Sequence, residues 1–189
     1  MKKIVLVIAL AAILATGTAF ADHPSGFGIG VVGQFGWWGI GGGLGNGGLS
    51  LKIPALPIFW AISFGAGSNH FALGLTGDYY IIDQALPVQT LYWFLGLGGF
   101  FNLYTYNQTF FNSVRSSYTH VNFGLRVPIG LSWQPIKLLE LWLDIAPSFG
   151  IYIDGEGKYT YNNYSHTYHE GGVGFDWGIP LELGIRFWL

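Results

Sequence analysis

Cysteine is absent from the 189 residues, and charge is scarce: 8 Lys and Arg stand against 10 Asp and Glu, 10% of the chain. Without cysteine there is no disulfide framework to staple a small exported domain. With so little charge the chain lacks an ordinary soluble surface, and its slight acidic excess gives no reason to expect nucleic acid as a partner. Long apolar runs are missing as well. The one near the start, Ile4 to Leu14, is shorter than the ~20 residues a spanning helix needs. It follows Lys2 and Lys3 and leads to Ala19-Phe20-Ala21, a small-x-small cleavage site. Residues 1–21 therefore read as a cleaved secretory signal and 22–189 as one domain.

What the chain has in abundance is aromatic residues (18%) and glycine (30), with a mean hydropathy of +0.41. An apolar exported chain without spanning helices points to a closed barrel, because lipid tolerates no unpaired strand edge. The final residues carry the pattern most plainly. Phe175, Trp177, Ile179, Leu181, Leu183, Ile185, Phe187 and Leu189 alternate with Asp176, Gly178, Pro180, Glu182, Gly184, Arg186 and Trp188. A period of two with aliphatics on one face and every charge on the other is a strand between two different solvents. A membrane barrel supplies them, lipid outside and a crowded polar lumen inside.

Eight strands are expected, over residues 26–37, 48–53, 58–67, 71–82, 89–105, 118–133, 137–153 and 172–189. The fold class is all-β, an eight-stranded antiparallel up-and-down transmembrane barrel. Pro54, Pro57, Pro87 and Pro135 fall in the connections after strands two, four and six. Those connections read as short periplasmic turns, while 107–117 and 154–171 read as long polar outer loops. Aromatic residues gather near both strand ends, as two interface girdles require. Pro128, Pro147 and Pro180 lie inside strands, where each removes a ladder hydrogen bond, so bulges are expected there.

On these features residues 22–189 resemble the small eight-stranded outer-membrane barrels of the OmpA, OmpX and OmpW type, including the small-barrel families of spirochaetes. The resemblance implies the outer membrane of a diderm bacterium, membrane lipids as neighbours and a monomer. It also implies insertion by the outer-membrane assembly machinery, which reads a terminal aromatic residue. Here Phe187 and Trp188 precede a departure from that pattern, Leu189.

By alternation Lys52, Asp78, Arg126, Glu140, Asp144, Asp176, Glu182 and Arg186 face the lumen. An eight-stranded barrel is barely wide enough for its own side chains. Tyr92, Phe94, Phe100, Trp142 and Tyr152 would take most of that space, so the charges are expected to pair as a plug. Glu140 is expected to meet Arg186, and Arg126 to serve Asp144 or Glu182. The alternative is a narrow porin-like conduit for small or hydrophobic solutes.

Gly28-Ile-Gly30-Val-Val-Gly33 matches a dinucleotide-binding glycine pattern but lacks the strand-to-helix context that chemistry requires, so no cofactor is expected. His166, His169, Glu170 and Asp154 offer metal donors on a loop with no enforced geometry, and no metal is expected. Ser116, Ser117 and His120 suggest a lipid-modifying enzyme, a second alternative, but no group to orient the histidine is evident and no catalytic set is assigned. The outer loops carry Phe110, Phe111, Tyr159, Tyr161, Tyr164 and Tyr168 among Asn, Ser and Thr. That composition suits adaptable recognition. The expected role is structural, with adhesion to a host or other extracellular ligand through these loops.

Overall fold

The structure is a computed structural model that describes residues 26–35, 46–88, 90–110, 114–161 and 164–189. The signal expected over 1–21 lies outside the described residues, as does Trp37. The described chain is all β, with no helix long and apolar enough to cross a membrane. Thirteen strands run in chain order: β1 Gly28–Phe35, β2 Asn46–Lys52, β3 Phe59–Ala66, β4 His70–Ala85, β5 Leu91–Phe110, β6 Val114–Arg126, β7 Ile129–Ile136, β8 Leu139–Ile145, β9 Ser148–Asp154, β10 Gly157–Tyr161, β11 Tyr164–His169, β12 Gly172–Gly178 and β13 Leu181–Trp188. They are pieces of eight staves. Stave six is β6 with β7, stave seven is β8 to β10, and stave eight is β11 to β13.

Every pairing is antiparallel. The ring closes through β1, β2, β3, β4, β5, β7, β8 and β13, and β13 returns to β1 from Leu181↔Phe35 to Trp188↔Gly28. The eight-stranded antiparallel barrel read from the alternation is therefore the architecture observed. Below, the end holding Gly28 and Trp188 is called the lower end.

The strand prolines do something more ordered than three separate bulges. β6 and β7 are parted at Val127-Pro128, β8 and β9 at Ala146-Pro147, and β12 and β13 at Ile179-Pro180. A proline has no N–H for the ladder. Its carbonyl still accepts from the next stave: Gly96 N to Pro128 O (2.8 Å), Val127 N to Pro147 O (2.9 Å) and Ala146 N to Pro180 O (2.9 Å). The three breaks thus lie side by side and continue through Gly96 to a register shift between Tyr80 and Ile82 in β4. That shift changes which face later residues use. Asp83, past the end of the strand expected there, is turned inside at 1% exposure.

At mid-stave in the other staves parity holds. Leu125, Leu143 and Leu183 point outward with 66%, 49% and 46% exposure, in a belt of exposed aliphatic and aromatic side chains. Inside, Phe94, Phe100 and Trp142 are buried. Glycine makes room for them: a Cβ on Gly184 would enter the Trp142 ring, and one on Gly130 would meet Phe94. Tyr80 stacks between Phe59 and Phe94, with ring centroids 4.1 and 4.3 Å away.

The two long outer loops need correction. β5 runs to Phe110 and β6 starts at Val114, while β10 and β11 occupy most of the second segment. Both are hairpins, joined into one sheet by Lys158↔Ser117 through Tyr161↔Val114. Cross-strand pairing satisfies their backbone, which a polar composition alone does not reveal. Pro135 also lies within β7, at a register shift between Trp133 and Ile136, and not in the turn after it.

Candidate functional site

The lumen charges fall into two levels. At the lower, Arg186 of β13 stands opposite Glu140 of β8 in register, and its Nη1 donates to Glu140 Oε2 at 2.8 Å. Trp188 Nε1 donates to the same oxygen at 3.0 Å and Ser132 Oγ to Oε1 at 2.9 Å. The remaining guanidinium face is used too, with Nη2 2.7 Å and Nε 3.3 Å from Ser50 Oγ. The Trp142 and Phe59 rings lie 4.4 and 4.7 Å from the guanidinium carbon. Glu140 is 1% and Arg186 2% exposed. Removal from water is costly for both ions, and this density of donors and ring faces is what offsets it.

At the upper level Arg126 of β6 donates from Nη1 to Glu182 Oε1 at 2.6 Å, and Gln34 Nε2 reaches that oxygen at 2.8 Å. Asp78 Oδ1 is 3.1 Å from Arg126 Nε, a close ion pair without hydrogen-bond alignment. Asp144 faces Glu182 across the β8–β13 register, and its buried Oδ1 has no hydrogen-bond partner among the described residues. Two carboxylates therefore share one guanidinium, and a third, Asp144, stands beside Glu182 across the register.

Two of the eight expected charges stand apart. Lys52 turns to the carbonyls of Ile53 (3.3 Å) and Leu56 (2.5 Å), tying down the turn after β2, with its ammonium 5.4 Å from the Phe59 ring. Asp176 accepts from Asn122 Nδ2 at 3.4 Å and from the Trp177 amide at 2.8 Å. Asp83 lies outside the expected set, because the shift that turns it inward falls in the apolar run Tyr79 to Ile82, which does not mark the extra residue.

A third group lies at the upper mouth. Asp154, at the end of β9, accepts from Tyr118 OH at 2.7 Å and lies 2.6 Å from His120 Nδ1. The His120 ring stacks near Tyr152 at 5.8 Å. The orienting group for His120 that spacing failed to reveal is thus Asp154, placed by pairing of β6 with β9. Its polar partners among the described residues are Asp154 and Tyr118, neither of them a serine. Of the other loop donors, His166 is exposed on β11, and the side chain of His169 lies outside the described residues.

Of the expected loop-binding residues, Tyr164 is 83% exposed at the tip of the second hairpin. Phe111 lies outside the described residues, as do the side chains of Phe110, Tyr159, Tyr161 and Tyr168, whose backbones belong to β5, β10 and β11. Glu156 and Lys158 form an exposed ion pair at 2.5 Å, and the ammonium holds the Glu156 carboxyl below the usual carboxylate range.

Solved structures share this architecture. A major outer membrane protein of Thermus thermophilus superposes with a TM-score of 0.51 at 10% identity, over 85% of this chain and 98% of that one. The fold is that of the small bacterial outer-membrane barrels. The N-terminal β-barrel domain of Pseudomonas aeruginosa OprF (TM-score 0.43, 14% identity, 88% and 100% covered) and Neisserial surface protein A (0.37, 13%, 86% and 96%) are similar at lower scores. No protein-family model and no curated protein matches the chain.

Proposed function

We propose that this is a bacterial outer-membrane barrel protein, exported by the signal in 1–21, with a structural role and with surface recognition carried by its upper hairpins. One observation carries the reading: the ring is apolar outside and charged but packed inside, the inverse of a soluble sheet. A lumen blocked by Phe94, Glu140 and Arg186 favours a plugged scaffold over a conduit. The hairpins extend the wall where a barrel meets the outside. From Val114 to Thr119 six residues rise beyond the His120 row, about 20 Å of sheet. Their Tyr, Ser and Thr content suits adaptable contacts held on a rigid frame. The partner expected there is an extracellular or host ligand, and the barrel itself is expected to work as a monomer.

Refolding into phospholipid vesicles tests the reading. The barrel should insert, resist protease over its staves and migrate differently on gels before and after boiling, yet give no discrete conductance in planar bilayers. Failure to insert would overturn the membrane assignment, and stable single-channel steps would overturn the plug. Binding of cells displaying the barrel to extracellular matrix proteins, compared with cells displaying hairpin-shortened variants at equal surface density, tests recognition. Equal binding would remove adhesion from the account.

A further inference from the structure

We propose that the outward face of staves three to six holds one acyl chain of a membrane lipid, in a dent between Trp60 and Leu125. The inference rests on the membrane reading above. Across β3, β4, β5 and β6 one outward row reads Trp60, Gly77, Gly99, Leu125. The two adjacent glycines floor an open dent of about 490 Å³, walled by Trp60, Leu75, Phe101, Phe123 and Leu125.

The two glycines have different reasons to be there. A Cβ on Gly77 would press on the Trp60 ring at 2.9 Å, so Gly77 lets that ring lie across the sheet. A Cβ on Gly99 would meet only the Gly124 carbonyl oxygen at 3.5 Å, an ordinary contact, and Gly99 does not have a left-handed φ. Among the described residues, no contact stands in the way of a Cβ at position 99. Glycine weakens a strand relative to residues that carry a side chain, so the open space has a cost within the fold. The outward neighbours on the same stave, Leu97 and Phe101, are large. The vacancy is therefore local to this row and suits an occupant from outside the chain.

The occupant is hydrocarbon. No charged residue lines the dent, and it opens at mid-stave on the belt that faces lipid tails. Hydrocarbon surrounds the belt whether the dent is filled or not, so the hydrophobic effect supplies no preference for occupancy. The preference comes from dispersion contacts with the ring faces of Trp60, Phe101 and Phe123, which a rough, concave wall provides in greater number than a smooth one.

Native mass spectrometry of the protein refolded in detergent with a phosphatidylethanolamine carrying 16-carbon chains tests the proposal. Wild type should retain one lipid under activation that strips the micelle. Gly99→Leu, whose side chain enters the dent, should lose most of that complex while keeping its heat-modifiable gel shift. Leu183→Ala, on the far side of the ring, should keep it. Equal retention by folded Gly99→Leu, or no retained lipid on wild type, overturns the proposal. A wild-type dimer abolished by Gly99→Leu also overturns it, in favour of a second copy as occupant. Vesicles with brominated chains separate the two readings, through the fluorescence lost in Trp133→Phe. If that component is not quenched, the membrane reading fails; if it is quenched while retention is equal, only the lipid site fails.

Discussion

The Arg186 level and the Arg126 level are built from the same residue types and differ in their balance. At the lower level one guanidinium meets one carboxylate, and Ser50, Ser132 and Trp188 complete the hydrogen bonds around them. At the upper level one guanidinium serves Glu182 closely and Asp78 without alignment, while Asp144 has no ion pair among the described residues. A buried ion pair is retained at tolerable cost only where its remaining valences are met. The lower level meets them. The upper leaves carboxylate oxygens and Thr76 Oγ1 without aligned partners among the described residues. It is the level at which removing charge, and not adding partners, should improve the fold.

The sharpest way to break this comparison is at the lower level. Arg186→Met strands Glu140 in a closed lumen and should destabilise by about 3–5 kcal/mol in urea unfolding from vesicles. Adding Glu140→Gln should recover much of that loss. A double-mutant cycle with no coupling between the two would show that the plug is not a pair.

Next in size is the contrast between inside and outside. Leu143→Arg or Leu125→Arg places a charge on the outward belt near mid-stave and should cost about 2–4 kcal/mol in the same assay. Arginine at the belt's edge, in Phe187→Arg, should cost much less. Equal penalties at both depths would contradict a lipid-facing belt.

A smaller effect of opposite sign separates the two charge levels. Asp144→Asn removes an excess negative charge beside Glu182 and should stabilise by about 1 kcal/mol, whereas Glu140→Gln alone should destabilise. If both substitutions move the unfolding midpoint the same way, the levels do not differ as described.

The smallest expected change is at the upper hairpins. Shortening β10–β11 from its tip removes exposed strand and should leave the unfolding midpoint nearly unchanged, because loop closure depends weakly on length. A large loss would show that the hairpin sheet is part of the barrel's stability and not a display built on it.

Much of this arrangement is legible along the chain, in places where local periodicity decides the outcome. The alternation from Phe175 onward assigns faces to β12 and β13 residue by residue, and Glu140 and Arg186 can be matched because both lie on inward positions near the lower ends of neighbouring staves. Prolines at 128, 147 and 180 mark where the ladder must break. Asp83 is not legible, because the register shift after Tyr80 falls in the apolar run Tyr79 to Ile82, where no polar residue marks which position is the extra one. Nor are the hairpins, since Tyr, Ser and Thr suit an exposed strand as well as a loop.

By itself, then, the sequence determined the class, the faces and the lower charge pair, because a strand's two faces are set by its own period. Closure of the ring decided the rest. It set the register that puts His120 within 2.6 Å of Asp154, 34 residues away. It aligned three prolines in one line of breaks and placed Gly77 beside Gly99 to open a dent in the wall. Each depends on how far one stave slides against the next. That offset is fixed only when all eight close together, since a slip at any seam would unpair strand edges or turn apolar side chains inward.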